Sequence, residues 1–185
     1  MAAPQYSRPS VVFHWLTVVA IMAMVGIGWY MTDLPKGPDR SWWYGLHKSL
    51  GLTVSLFIVA RIAWRIATPP PSFPAEWTVA TKLAAEWGHR LIYVLLVLVP
   101  IAGYLTSAYT KFDVKFWGIA LPRLVPEDQA MNEFWKLAHN IACYTLLIVV
   151  SGHAIAGLRH LSRGYRRMFG FPESRPQRDT VQHPA

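Results

Sequence analysis

Residues 134–158 read FWKLAHNIACYTLLIVVSGHAIAGL, twenty-five positions with a single charged side chain, Lys136. Crossing the hydrocarbon of a bilayer takes about 20 consecutive apolar residues in a helix, so this stretch is a transmembrane candidate. Its two histidines, His139 and His153, are fourteen residues apart. At about 100° per residue they fall within about 40° of one face, and at about 1.5 Å per residue they stand about 21 Å apart. One helix therefore carries an imidazole near each side of a membrane.

Three more stretches have the same character: 11–31 (VVFHWLTVVAIMAMVGIGWYM), 43–66 (containing LHKSLGLTVSLFIVARIAWRI) and 87–109. Lipid does not tolerate unpaired backbone groups, and no segment alternates as a barrel strand would. The expected fold class is all-α, an integral membrane four-helix bundle with helices at about 11–31, 43–66, 87–109 and 134–158. The first segment is too long for the core of a cleavable signal, and no A-x-A-like site follows it. The connections carry turn residues: DLPKGPDRS at 33–41, the stiff TPPPSFP at 68–74, and a longer segment at 110–132.

Composition agrees. Of 185 residues, 53% are hydrophobic and 15% charged, against about 45–50% and about 25% in soluble domains. A chain this short cannot hide that excess in a globular core. A lone cysteine, Cys143, leaves no disulfide framework. The net charge of +8 would suit a nucleic acid only if the basic residues shared a face. With a cytoplasmic N-terminus, the four spans place Arg8, Arg61, Arg65, Lys82, Arg90, Arg159, Arg163, Arg166, Arg167, Arg175 and Arg178 on the inner side. Seven basic residues remain outside: Lys36, Arg40, Lys48, Lys111, Lys115, Arg123 and Lys136. The positive-inside rule then puts both termini in the cytoplasm, and no nucleic-acid partner is expected. The run RHLSRGYRR at 159–167 reads as a headgroup anchor, and residues 166–185 as a polar, disordered tail.

Ionisable residues at membrane depth are rare and usually face a bundle interior or a bound group. His14 lies near the inner end of the first span and His153 near the inner end of the fourth; His47 and His139 lie near the outer ends of the second and fourth. Two depth-matched pairs result. Imidazoles from facing helices can supply both axial ligands of a haem iron, with the macrocycle filling the core. A structural zinc wants four ligands converging at one point, and these histidines split between two depths. Two bis-histidine haems fit better, His14–His153 inside and His47–His139 outside. Gly51, one turn after His47, leaves room beside that ligand, and Gly26, Gly28, Gly103, Gly152 and Gly157 either do the same or let helices approach. Trp42–Trp43–Tyr44 and Phe116–Trp117 read as interfacial belts.

The segments YSRPSVVFHWL (6–16), GLHKSLG (45–51), VARIAWRIATPPP (59–71), GHRLIYVLLVLVPIAGY (88–104), WKLAHN (135–140) and SGHAIAGLRH (151–160) occur in order. In these the chain resembles the bacterial cytochrome b561 family of small di-haem membrane cytochromes, over about residues 6–160. The resemblance implies a di-haem cytochrome b domain at 1–165 in the bacterial inner membrane, with His14, His47, His139 and His153 as iron ligands. It implies two haem b and a ubiquinone site on the inner side, where His160 matches a family histidine near the quinone. His89 suits a propionate or quinone hydrogen bond, with Arg90 beside it. Arg61 and Arg65 either neutralise propionates or simply mark the inner face.

The resemblance further implies an oxidoreductase that oxidises superoxide at the outer side and reduces ubiquinone near the inner side. The outer basic residues are nearly balanced by Asp33, Asp39, Asp113, Glu127, Asp128 and Glu133, leaving +1. Steering of the anion therefore rests on local placement, with Lys48 and Lys136 as the candidates. Two other readings share the same helices: a cytochrome subunit relaying electrons between a partner dehydrogenase or hydrogenase and the quinone pool, and a haem-free membrane scaffold.

Overall fold

The structure, a computed structural model, describes residues 5–165, 167 and 168. Four helices make up almost all of it: α1 Arg8–Asp33, α2 Pro38–Ala67, α3 Val79–Ala108 and α4 Gln129–Ser162. All four are long and apolar enough to cross a membrane. Each starts earlier than its apolar run, and α1, α2 and α4 also end later. Hydropathy marks where hydrocarbon begins, whereas a helix continues through polar turns until a cap or a proline stops it.

Those stops are visible. Pro9 and Pro38 sit in the first turns of α1 and α2, where a missing N–H costs nothing. Thr78 caps α3 by accepting from the Thr81 amide at 3.2 Å, and Asp128 caps α4 by accepting from the Met131 amide at 3.0 Å. α1 gives way to extended backbone at Leu34, just before Pro35, and α2 ends at Ala67 ahead of the Pro69–Pro71 run.

α1 packs on α2, α2 on α3 and α3 on α4. The start of α1 and the end of α4 therefore lie at one end of the bundle, the terminal end; there the Trp15 indole donates to the Met168 carbonyl at 3.1 Å. The long connection after α3 holds a small hairpin: β1 Lys115–Phe116 pairs antiparallel with β2 Ile119–Ala120. Trp117 (φ 49°) and Gly118 (φ 89°) make its turn with two positive φ values, the geometry of a type I′ hairpin. The strain at Trp117 is held by two bonds to α2, its amide to Ser49 Oγ at 3.1 Å and its indole to Thr53 Oγ1 at 3.2 Å. This opposite end is the hairpin end.

Buried apolar side chains are few, as lipid-facing helices require. Val19, Met22, Leu56 and Ile148 are all more than 60% exposed. The packed core is a mid-depth layer of Ile58, Leu95, Leu96 and Leu146, flanked by Ile21, Val54, Tyr93 and Val150. Leu146 is seven residues from both His139 and His153, so an apolar plug separates two polar levels by about 10 Å on each side. Leu146→Ala is expected to leave a cavity there and to cost about 2–5 kcal/mol of stability. Unfolding of the purified protein in detergent should report it; a loss below 1 kcal/mol, about that of a surface change, would show that this layer is not the core.

Candidate functional site

At the terminal end three histidines from three helices meet. His14 comes from α1, His89 from α3 and His153 from α4, each half-buried. The His14 and His153 ring centroids are 6.3 Å apart with planes inclined at 60°. Two imidazoles sharing one metal need about this separation, two metal–nitrogen bonds of about 2 Å each plus half a ring on either side. His89 meets His153 edge-on at 5.0 Å, too near for a shared metal between the rings. α1 and α4 do not pack backbone to backbone, so the two imidazoles face each other across a gap between helices.

Arg61 of α2 reaches into the same cluster. Its Nη2 lies 3.4 Å from His14 Nδ1, its Nη1 donates to the Phe13 carbonyl at 3.5 Å, and its Cζ stands 5.5 Å from the Tyr93 ring centroid. A residue whose sequence position suited a simple marker of the inner face is turned toward the bundle interior. Arg90 goes the other way: its guanidinium pairs with Glu86 at 2.6 Å and covers Trp87, exposed at the bundle surface. The structure does not bring it to His89.

At the hairpin end His139 is held firmly. Its Nδ1 donates to the Val99 carbonyl of α3 at 2.9 Å, which fixes the tautomer and leaves Nε2 as the ring's acceptor. The Cys143 thiol, one turn on, lies 3.6 Å from that Nε2. Gly103, a turn beyond Val99, supplies the space: a Cβ there would stand 2.9 Å from His139 Cε1. Gly28 of α1 does the same for His47, where a Cβ would lie 3.5 Å from Cε1. Gly51 instead faces the Met24 methyl at 3.4 Å, and Gly26, Gly152 and Gly157 face open space. Of the glycines singled out by sequence, two cradle histidines.

His47 is within electrostatic reach of both His139 and Lys48. Its Nδ1 is buried without a hydrogen-bond partner, which is costly unless a bound group completes the site. Lys48 is half-buried and Lys136 is exposed, one turn before His139. Beyond the terminal cluster, His160 stacks on Trp77 with centroids 4.3 Å apart and planes within 18°, and its Nδ1 is likewise buried and unpartnered. Tyr165 closes its edge at 6.1 Å and donates to Glu76 Oε1 at 2.9 Å. A hydrogen bond from its own backbone, and then the one from Tyr165, hold the Glu76 carboxyl below its ordinary pKa. Arg167 donates to the Pro71 and Ser72 carbonyls. So the first described residues of the expected tail lie across the loop between α2 and α3. The rest of 166–185 lies outside the described residues.

Sequence reasoning missed the Val99 carbonyl and the Trp77 stack, and left the direction of Arg61 open between two alternatives.

Four long apolar helices that bring histidines together at two depths, with Gly28 and Gly103 leaving room beside His47 and His139, define a multi-pass membrane bundle with a histidine-lined interior. The chain matches the prokaryotic cytochrome b561 family over residues 5–171, and it belongs to that family. It is 29% identical over 164 residues to cytochrome b561 homolog 2 of Escherichia coli K12, covering 84% of each chain. It is also 29% identical over 166 residues to a probable superoxide oxidase, CybB, of Yersinia pestis, covering 84% of this chain and 88% of that one. This is thus a multi-pass membrane electron-transfer protein of a family that binds haem b. The buried, unpartnered His47 Nδ1 and the Gly28 and Gly103 cradles fit such a group.

Gly103→Ala is expected to push the His139 ring off the Val99 carbonyl and lower the haem content of the purified protein, measured as the pyridine haemochrome. Gly26→Ala, which meets only open space, should leave it unchanged. Equal haem in both variants would remove Gly103 from the site.

Proposed function

We propose that the chain is a two-haem cytochrome that oxidises superoxide at the hairpin end and reduces ubiquinone at the terminal end. The carrying observation is the 6.3 Å facing of His14 and His153, with a second level formed by His47 and His139. On this reading His14 and His153 would hold one haem iron and His47 and His139 the other, and each haem would supply a one-electron redox centre when bound. The Val99 carbonyl orients His139 and raises its basicity. The mid-depth apolar layer keeps water from the path between the levels.

Superoxide, an anion, reaches the hairpin end past Lys48 and Lys136. Two superoxide anions lose one electron each and leave as dioxygen. The two electrons, with two protons from the terminal side, convert one quinone to quinol. His160 offers the quinone a buried, unpartnered ring nitrogen beside the flat face of Trp77. The excess of basic residues at the terminal end supports placing that end in the cytoplasm and the chain in the bacterial inner membrane. The name of the Yersinia pestis relative supports superoxide as donor. The relay reading, in which a partner dehydrogenase donates, differs in one respect: purified protein alone would not be reduced by superoxide.

His139→Ala and His14→Ala should each lose one haem of two, quantified by haemochrome and reduced-minus-oxidised spectra. Retention of two haems in either variant would overturn the ligand assignment. A superoxide pulse in stopped flow should reduce the wild-type haem faster than spontaneous dismutation removes the radical. Lys48→Gln and Lys136→Gln should each slow that phase a few-fold, with the gap closing as salt rises. No reduction in the wild type would sink the superoxide reading and favour the relay.

A further inference from the structure

Among the described residues, Arg61 is a cation at membrane depth without a counter-ion. None of the four helices carries an Asp or Glu near it in sequence: no acidic residue occurs at 40–75, 87–112 or 134–172. The ion pairs among the described residues, Arg90–Glu86 and Arg123–Asp113, lie elsewhere. Its own contacts are a long approach to His14 Nδ1, a long bond to the Phe13 carbonyl and the face of Tyr93. None of these carries negative charge. A basic residue that only marked the inner face would extend its head to the headgroups, as long cationic side chains do. Arg61 instead lies among His14, His89 and His153, all three within its electrostatic reach.

The position beside His14 is also incompatible with ligation as it stands. A histidine that binds metal through Nε2 carries its proton on Nδ1 and is a donor there. Two donors cannot bond, so ligation at His14 releases the guanidinium to find an acceptor. An anion close to the ring is the acceptor that best matches a buried guanidinium, and haem b carries two carboxylates on its rim. Guanidinium and carboxylate match in a two-pronged bond that ammonium cannot reproduce.

We propose that Arg61 binds a propionate of the haem held between His14 and His153 and, through its charge, raises the potential of that iron. The inference rests on the two-haem reading above. A cation near the iron disfavours the ferric state, which bears the extra positive charge. Arg61 is a positioning residue in this role, acting on the cofactor's charge and placement.

The test is an anaerobic redox titration of the purified membrane protein, read at the haem absorption bands, together with haem quantitation. Wild type should titrate as two waves; a single haem would overturn the underlying reading rather than this one. Arg61→Gln should move one wave to lower potential, or lose that haem, while the other wave stays in place. Arg61→Lys, which keeps the charge without the fork, should retain both haems with a smaller downward shift than Arg61→Gln. Lys82→Gln, which removes a cation at the same end, should leave both waves where they are. Unmoved waves with full haem in Arg61→Gln, a shift in Arg61→Lys as large as in Arg61→Gln, or an equal shift in Lys82→Gln would each overturn the assignment to Arg61.

Discussion

An imidazole inside hydrocarbon has two polar nitrogens and no water to satisfy them. Leaving such groups unpaired costs several kcal/mol on scales where nothing else can hydrogen-bond. Much of the bundle's shape follows from that constraint. His139 meets it through the Val99 carbonyl, reachable because Gly103 has no side chain to block the ring. His14 meets it through Arg61 from the neighbouring helix. His47 and His160 do not meet it within the protein. Two buried ring nitrogens without partners leave room for a bound group to complete the fold, and the family's haem b is a group of that size. The small core of Ile58, Leu95, Leu96 and Leu146 has the complementary task of keeping the two levels apart.

The fold was legible because hydropathy has a long period and few ways to be satisfied: four runs of about 20 apolar residues leave little choice but helices. What hydropathy could not show was where those helices stop. Thr78 and Asp128 extend α3 and α4 past their apolar runs by capping, and a cap is a local hydrogen bond rather than a pattern. The two-residue strands of the hairpin were illegible for a similar reason. Trp117 adopts a positive φ against its own preference because Ser49 and Thr53, more than sixty residues earlier, hold it there.

The site was legible in its periodic part and not in its cross-helix part. The spacing of His139 and His153 on one helix gave their common face and their two depths, and the structure places His153 opposite His14 accordingly. A glycine's neighbour, by contrast, belongs to another helix. Gly51 shares a helix with His47 yet faces Met24, whereas Gly28 and Gly103 reach histidines on other helices. Arg61 and Arg90 show the same limit with charge. Both sit where a basic residue can mark the inner face, and only the packing of α2 against α1 turns Arg61 inward while Glu86 draws Arg90 out.

On the proposed ligand set the two levels differ in a way that gives the path a direction. A carbonyl accepting from His139 Nδ1 makes that ring the more electron-rich ligand, which favours ferric iron and a lower potential. A guanidinium beside His14 favours ferrous iron and a higher one. Both effects would favour transfer from the hairpin level to the terminal level, toward the end where His160 stacks on Trp77. Lys48 beside His47 acts against that gradient at the hairpin end. Its place near the entry point suits a different task, attracting an anion before any electron moves. On the proposed function the two cations would separate by role, Arg61 beside the His14 ring within the bundle and Lys48 beside His47 at the hairpin end.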